Sequence, residues 1–153
     1  MPETNCGFAS AGGVSGADLL VAFGPTLVVN IGFDPNYNPT APTGPPIPGI
    51  TGLHALVDTG ATESCIDTIL AAQLNLSIVD RRLISGVHGS KEANVYLAQV
   101  YVPSLNFTIY GAFAGVDLQA GGQAHSALIG RTFLRRFKMV YDGSTGLVTL
   151  SSP

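Results

Sequence analysis

The chain has little charge and no tryptophan. Only 11% of its 153 residues are Asp, Glu, Lys or Arg, whereas an average globular protein has about a quarter. Hydrophobic residues make up 46%, yet no apolar run approaches the roughly 18 residues needed to cross a bilayer, so we expect no membrane span. So apolar a chain with so few charges suggests that a partner, such as a second copy, covers part of its surface.

Cysteine is also scarce. The two cysteines, Cys6 and Cys65, are too few for a disulfide framework and lack the spacing of a metal site. We interpret Cys65 as a small core residue. The first sixteen residues lack the basic region and the continuous apolar stretch of a signal peptide. These features together predict an intracellular, cytoplasmic protein in a reducing environment.

Positive charge is absent from the first half of the chain. All Lys and Arg residues lie at position 81 or later: Arg81, Arg82, Lys91, Arg131, Arg135, Arg136 and Lys138. The first 80 residues carry a formal charge of -7 and the remainder +4. A net charge of -3 and a pI of about 5.4 argue against nucleic acid as the main partner. The cluster of Arg135, Arg136 and Lys138 near the C-terminus is typical of a solvated helix face.

Short extended segments punctuated by Gly and Pro predict a mainly β fold in a chain of single-domain length. Residues 1–16 have no periodicity and predict a flexible N-terminal arm, so the domain is expected over residues 17–153. The apolar residues 19–23 and 26–33, separated by Gly-Pro, predict a hairpin. Six prolines make residues 34–49 a surface loop.

Two short helices are predicted later in the chain. Asp67 can cap a helix over residues 68–74, where apolar side chains fall on one face. The second is predicted over residues 132–137. Strands are expected before Asp58, over residues 93–102 and at the C-terminus.

The run from Leu53 to Val57 leads directly into Asp58-Thr59-Gly60-Ala61. An Asp at the end of a buried strand is costly unless it is hydrogen-bonded, paired or used in chemistry. Thr59 can bond the local backbone, and Gly60 permits close approaches that other residues resist. Asp, Thr and Gly are also common turn residues, so an ordinary hairpin turn is the alternative interpretation.

Two further segments follow in a fixed order. Gly86-Val87-His88-Gly89 lies between two apolar stretches and predicts a hairpin tip. Leu128-Ile129-Gly130-Arg131 precedes the second predicted helix. Together with Asp58-Thr59-Gly60-Ala61, these segments resemble the retropepsin-like family, the single-lobe, retroviral-type aspartic proteases, over roughly residues 19–150.

The resemblance implies a closed β-barrel or sandwich with a flap hairpin and one or two short helices. It also implies an aspartic endopeptidase that hydrolyses extended polypeptides with two carboxylates sharing one site. This chain has a single Asp-Thr-Gly, so the second carboxylate would come from the Asp58 of another copy in a homodimer. The alternative is a non-catalytic module of the same fold that dimerises or binds peptides.

By the same resemblance, each segment has a role. Asp58 is the catalytic residue, and Thr59, Gly60 and Ala61 support its turn. The flap that contacts substrate is Gly86, Val87, His88 and Gly89. The structural second motif is Leu128, Ile129, Gly130 and Arg131. No metal and no organic cofactor is needed for this chemistry.

The sequence departs from the family pattern after Ala61. Retroviral members usually have Asp there, which pairs with the Arg of the second motif, whereas this chain has Thr62 and Glu63. We therefore expect an Arg131–Glu63 pair. The family's dimer sheet uses terminal strands, and longer termini here suggest a different contact.

A Ser-His-Asp hydrolase is the least favoured interpretation. The chain has no Gly-x-Ser-x-Gly segment, which the nucleophile of such enzymes commonly requires. His54 falls in the strand before Asp58 and His125 in a loop. Neither histidine is a convincing catalyst.

Overall fold

The computed structural model describes residues 2–86 and 89–152, and it confirms the prediction of a mainly β fold with short helices. The strands are β1 (Glu3–Asn5), β2 (Thr26–Gly32), β3 (Ile50–Val57), β4 (Cys65–Asp67), β5 (Ile78–Gly86), β6 (Gly89–Val102), β7 (Phe107–Val116), β8 (Ala127–Ile129), β9 (Lys138–Asp142) and β10 (Leu147–Ser151). The helices are α1 (Gly16–Phe23), α2 (Thr68–Gln73) and α3 (Arg131–Leu134), with a 3-10 turn at Pro103–Leu105. No helix in the described part of the chain has the length and apolar character to cross a membrane.

The strands form two sheets. The smaller sheet has the order β1-β10-β9, and the larger has the order β2-β3-β8-β4-β7-β6-β5. Because β2 also pairs with β6, six strands of the larger sheet form a closed ring of hydrogen-bonded neighbours, and β5 lies outside on β6. Most pairings are antiparallel, but β3–β8 and β4–β7 are parallel. This ring agrees with the predicted barrel-like arrangement.

The core combines side chains of this ring with side chains of the smaller sheet and of α1. Along β2 the side chains of Leu27, Val29 and Ile31 are buried whereas Val28 between them is exposed, as expected for side chains that alternate between the faces of a sheet. Val100 of β6 and Ile129 of β8 are also fully buried. Each such side chain contributes roughly 1.5–3 kcal/mol on burial. These contacts hold together the strands that carry the candidate site.

The N-terminal segment is a paired strand, which differs from the loosely attached arm that its composition predicted. β1 runs antiparallel to β10, with Glu3 opposite Ser151. The amide of Cys6 donates to the carbonyl of Val148 at 2.8 Å, and Cys6 is buried. Composition could not show this because the pairing joins residues more than 140 positions apart. The division of the chain at residue 17 stays a prediction.

The predicted hairpin over residues 19–33 was wrong in its first half, which is the helix α1. Ser15 accepts a hydrogen bond on its hydroxyl from the amide of Asp18 at 3.2 Å, as an N-cap residue does. Gly24, with φ 71°, ends the helix and donates its amide to Leu20. The Ser-x-x-Asp spacing was the start signal in the sequence. The second half of the predicted hairpin is the strand β2.

The proline-rich residues 34–49 connect β2 to β3 and contain no regular element. Asp34 fastens both ends of this loop. Its carboxylate accepts a hydrogen bond from the amide of Ile47 at 3.0 Å, and its own amide donates to the side chain of Gln99 at 2.7 Å. The loop is therefore attached to the ring through β6.

Candidate active site

β3 and β8 bring the two predicted motifs together. The strands are parallel, with Val57 opposite Ile129. Asp58 is the first residue after β3, and its amide donates to the carbonyl of Ile129 at 2.9 Å. The segment from Leu128 to Arg131 therefore lies directly beside the Asp58 turn, as the order of the motifs had suggested.

The turn itself is closed by its own backbone. The carbonyl of Asp58 accepts a hydrogen bond from the amide of Ala61 at 3.2 Å. The amide of Gly60 donates to Oδ1 of Asp58 at 2.9 Å, and a Cβ at Gly60 would lie only 3.1 Å from that oxygen. Glycine thus lets a backbone amide approach the carboxylate closely. Asp58 is half-buried, while Thr59 and Gly60 are exposed, so the turn lies at the surface of the chain.

Gly130 allows the second motif to pack against this turn. A Cβ at this position would lie 2.5 Å from the carbonyl oxygen of Glu63, a clash with backbone that no side-chain movement relieves. The amide of Gly130 donates to Oγ of Ser64 at 3.0 Å, and the amide of Arg131 donates to the carbonyl of Ala61 at 2.9 Å. The backbone of the second motif therefore bonds the segment after Asp58 at two points, Ala61 and Ser64.

The side chain of Arg131 also holds the turn. One guanidinium nitrogen donates to the carbonyl of Thr59 at 2.7 Å and the other to the hydroxyl of Thr62 at 3.0 Å. The expected Arg131–Glu63 pair was wrong, since it is not among the ion pairs formed by the described residues. The planar guanidinium can bond two oxygens at once, and here both belong to the turn.

Sequence analysis missed two residues of this arrangement. Thr62 occupies the position where the family has Asp, and it receives the hydrogen bond from Arg131. That substitution was the signal in the sequence, because a hydroxyl can accept the same bond without a charge. Ser64 is buried and accepts the amide of Gly130, and no feature of the sequence marked it.

The predicted hairpin is formed by β5 and β6. The two strands are antiparallel along their length, and Gly86 is opposite Gly89 at the end of the ladder. Val87 and His88, which were predicted to form the flap tip, lie outside the described residues.

The outer half of this hairpin is tied to the ring by a surface cluster. Lys91 forms an ion pair with Asp117 at 2.8 Å, and the hydroxyl of Thr68 donates to the other oxygen of Asp117 at 2.6 Å. The hydrogen bonds from Lys91 and Thr68, together with the charge of Lys91, hold the pKa of Asp117 below its usual value.

The described part of the chain has several surface clefts, two of which flank β7. The larger, of about 730 Å³, lies between the proline-rich loop, β7 and α3. The other, of about 520 Å³, lies between the β5–β6 hairpin, α2 and the end of β7. Asp58 lines neither of these clefts. The carboxylate of Asp58 is half-buried and lies outside both clefts.

The other reactive side chains are poorly placed for catalysis. Burial raises the pKa of the Cys6 thiol to about 11, and burial and the nearby charges of Asp58 and Glu63 raise that of Cys65. Since the thiolate is the nucleophile, neither cysteine suits nucleophilic catalysis. No group of three or more metal-ligating side chains is present in the described part of the chain.

The two histidines have different surroundings. His54 is exposed on β3, whereas His125 is buried and its Nε2 lies 3.0 Å from the hydroxyl of Thr26. Its Nδ1 has no hydrogen-bond partner among residues 2–86 and 89–152. Burial lowers the pKa of His125, and the charge of His54 lowers it further.

No protein-family model and no curated protein sequence matches the chain. Among solved structures, the chain is similar to a retropepsin-like aspartic protease from Rickettsia conorii. The two share 16% identity over 97% of this chain and 90% of the other, with a TM-score of 0.47. A likeness at this level assigns neither an activity nor functional residues to this chain.

Proposed function

We propose that the chain is an aspartic endopeptidase whose active site forms between two copies. The observation that carries this proposal is the carboxylate of Asp58. The amide of Gly60 donates to this carboxylate, and the backbone amide of Asp58 donates to the carbonyl of Ile129, yet Asp58 is only half-buried. In the described part of the chain, only Oδ1 of this carboxylate has a recorded hydrogen bond. A carboxylate that is fixed by one hydrogen bond and still has acceptor capacity is suited to act on a water molecule.

The proposed reaction needs two carboxylates that share one proton. The deprotonated carboxyl takes a proton from water, whose oxygen attacks the carbonyl carbon of the peptide, while the protonated carboxyl donates to the carbonyl oxygen. The resulting tetrahedral intermediate collapses as its C–N bond breaks. The departing nitrogen then receives the proton that the first carboxyl took from water, and the second carboxyl regains a proton from a hydroxyl of the intermediate. Two carboxyls about 3 Å apart retain one proton over a useful pH range because both cannot ionise easily.

The second carboxylate comes from another copy in this proposal. The chain has one Asp-Thr-Gly, and none of the ion pairs among its described residues involves Asp58. A two-fold axis beside the exposed Thr59 and Gly60 would bring two Asp58 side chains together. The same surface patch then serves both copies.

The remaining predicted residues have supporting roles in this proposal. Thr59, Gly60 and Ala61 shape the turn, and the segment from Leu128 to Arg131 holds it from behind. The flap residues Gly86, Val87, His88 and Gly89 contact an extended peptide substrate from above. The mechanism uses no metal and no organic cofactor.

The direct test is cleavage of a mixed peptide library between about pH 3 and pH 8, together with molecular mass from light scattering. Asp58→Asn keeps an oxygen that can accept the amide of Gly60 but removes the charge. We expect the wild type to be a dimer that cleaves best in acid, and the variant to be a dimer with activity at least about a thousandfold lower.

Asp142→Asn is the matched control. Asp142 is an exposed aspartate whose carboxylate accepts hydrogen bonds from Ser144 in the turn between β9 and β10, and an amide oxygen can accept the same bonds. Its activity should equal that of the wild type. Cleavage by Asp58→Asn at the wild-type rate would overturn the proposal, and so would a folded wild-type dimer that binds peptides but cleaves none.

Mixing the two forms tests whether the carboxylates are shared. With equal amounts of wild-type and Asp58→Asn chains and free exchange of subunits, about one quarter of the dimers are wholly wild type. The activity per wild-type chain should then fall about twofold. An unchanged activity after complete exchange would show that one chain supplies the whole site.

A further inference from the structure

The C-terminal end of α1 presents an uncovered apolar surface. Val21, Ala22 and Phe23, which we call the helix patch, are all exposed. Val21 is 85% exposed, the highest value among the large hydrophobic side chains of the described residues. Leu20, which directly precedes the helix patch, is buried. Val21 therefore contributes little to packing within the chain, whereas the ring of Phe23 lies 6.1 Å from that of Phe8, centroid to centroid.

The helix patch lies beside the candidate active site. Gly24 follows it immediately, and a Cβ at this glycine would lie 2.7 Å from the side chain of Leu56. The carbonyl of Pro25 accepts the amide of Val57 at 2.8 Å. Val57 is the residue before Asp58. Phe23 is thus separated from Pro25 by at most about 8 Å of chain.

A shared pair of Asp58 carboxyls restricts what can surround the turn. If the two carboxyls lie about 3 Å apart, the backbone next to each Asp58 must lie against the second copy. The residues that bond this backbone directly, Pro25 among them, then lie at or near the contact. The helix patch extends outward from that point.

The charge around the helix patch also favours a second copy. Asp18 is the only charged residue between Asn5 and Phe33, and all cations of the chain lie at Arg81 or later. A two-fold contact joins the same patch on both copies, so a strongly charged surface would repel itself. The centres of protein interfaces are accordingly poor in charge and rich in apolar side chains. The surface that carries Arg131, Arg135 and Arg136 is strongly charged and is therefore less suited to a two-fold contact.

The terminal strands pair with each other within one chain. The resemblance implies a dimer sheet formed by short terminal strands, and here β1 pairs with β10 of its own chain, while β1 and β9 are the edge strands of the smaller sheet. The helix patch offers apolar contact surface in addition to these edges.

We propose that the second copy covers the helix patch, and that this contact stabilises the dimer in which the two Asp58 carboxyls meet. This inference rests on the proposed function. α1 is then an assembly element: its helix patch sets how tightly the copies associate, while Asp58 performs the chemistry.

The test is a charge placed on the helix patch. Val21→Glu should preserve the fold, because Val21 makes little contact within the chain, and circular dichroism should show an unchanged far-ultraviolet spectrum. We expect the dimer dissociation constant, measured by analytical ultracentrifugation, to rise at least about tenfold because a desolvated carboxylate would lie in the contact. Val21→Ala should have a smaller effect in the same direction.

Ile47→Glu is the matched control, since Ile47 is 72% exposed but lies in the proline-rich loop. Its dissociation constant should equal that of the wild type. A wild-type dissociation constant for Val21→Glu would overturn the inference. An equal rise for Ile47→Glu would also overturn it, because the effect would then be one of net charge.

Activity separates this inference from the proposed function. Cleavage by Val21→Glu should be lost at low protein concentration and return as the concentration rises, whereas Asp58→Asn should be inactive at every concentration. If Val21→Glu dissociates the dimer but the wild type cleaves nothing, the helix-patch contact would be supported and the protease rejected. If the wild type is active but Val21→Glu leaves the dimer dissociation constant unchanged, the protease would be supported and the helix-patch contact rejected.

Discussion

Two aspartates at the ends of strands show how differently the fold can treat one side chain. Asp67 ends β4 and is fully buried. Its carboxylate accepts hydrogen bonds from the amides of Leu118 at 2.9 Å, Gln119 at 3.1 Å and Leu70 at 3.2 Å. Asp58 follows β3, is half-buried, and accepts a hydrogen bond from the amide of Gly60 alone among the described residues.

The difference fits a structural role for Asp67 and the catalytic role proposed for Asp58. Asp67 caps α2 and ties it to the segment after β7, so both of its oxygens are engaged by backbone amides. The turn of Asp58 is fixed mainly through backbone atoms and through Arg131, which leaves the carboxylate accessible. A buried, saturated aspartate stabilises the fold, whereas an accessible one is available to a substrate.

A substitution at Asp67 tests this comparison most directly. Asp67→Asn replaces one acceptor oxygen with a donor that faces a backbone amide, and leaves that amide without a partner. We expect the free energy of unfolding to fall by about 3 kcal/mol, measured by urea denaturation. Asp58→Asn should change it by less than about 1 kcal/mol. If Asp58→Asn were the more destabilising variant, Asp58 would be the structural residue of the two.

Arg131 tests whether the turn must be held to be reactive. Arg131→Met removes the bonds to Thr59 and Thr62 but keeps the aliphatic length of the side chain. We expect a loss of about 1 kcal/mol in stability and a fall in kcat of roughly tenfold, because a looser turn misplaces Asp58.

The matched control for that variant is Arg135→Met, since Arg135 is exposed and lies in the same region. Its kcat and its unfolding midpoint should match those of the wild type. Equal losses in both variants would assign the effect to the basic cluster as a whole.

The smallest expected effect concerns the pH dependence of stability. The pKa of His125 is lower in the folded chain than in the unfolded chain. At a pH between these two pKa values, the unfolded chain therefore binds more protons. Stability should therefore fall as the pH drops below about 6.5, the ordinary value for histidine. His125→Gln should flatten this part of the curve of melting temperature against pH.

His54→Gln is the control for the neighbouring ring, since His54 is exposed on β3. It should retain most of the acid-dependent loss, because burial is the main cause of the lowered pKa of His125. An identical pH curve for His125→Gln and the wild type would assign the acid sensitivity to other groups.

Several elements were predictable from local sequence because their determinants are neighbours in the chain. β3 and the Asp58 turn follow from an apolar run and three turn-forming residues. α2 was predicted with its cap, since Asp67 directly precedes it. α1 was missed although its Ser15 and Asp18 carried a start signal, because its apolar residues equally suit a strand.

By itself, the amino-acid sequence determined the mainly β character, the Asp58 turn and the presence of a second motif ending in Arg131. Only the tertiary structure decided that β1 pairs with β10, that six strands close into a ring, and that Arg131 bonds Thr59 and Thr62 instead of Glu63. The physical reason is distance along the chain: turns and caps depend on adjacent residues, whereas these contacts join segments about 70 to 150 positions apart and depend on how the whole chain packs.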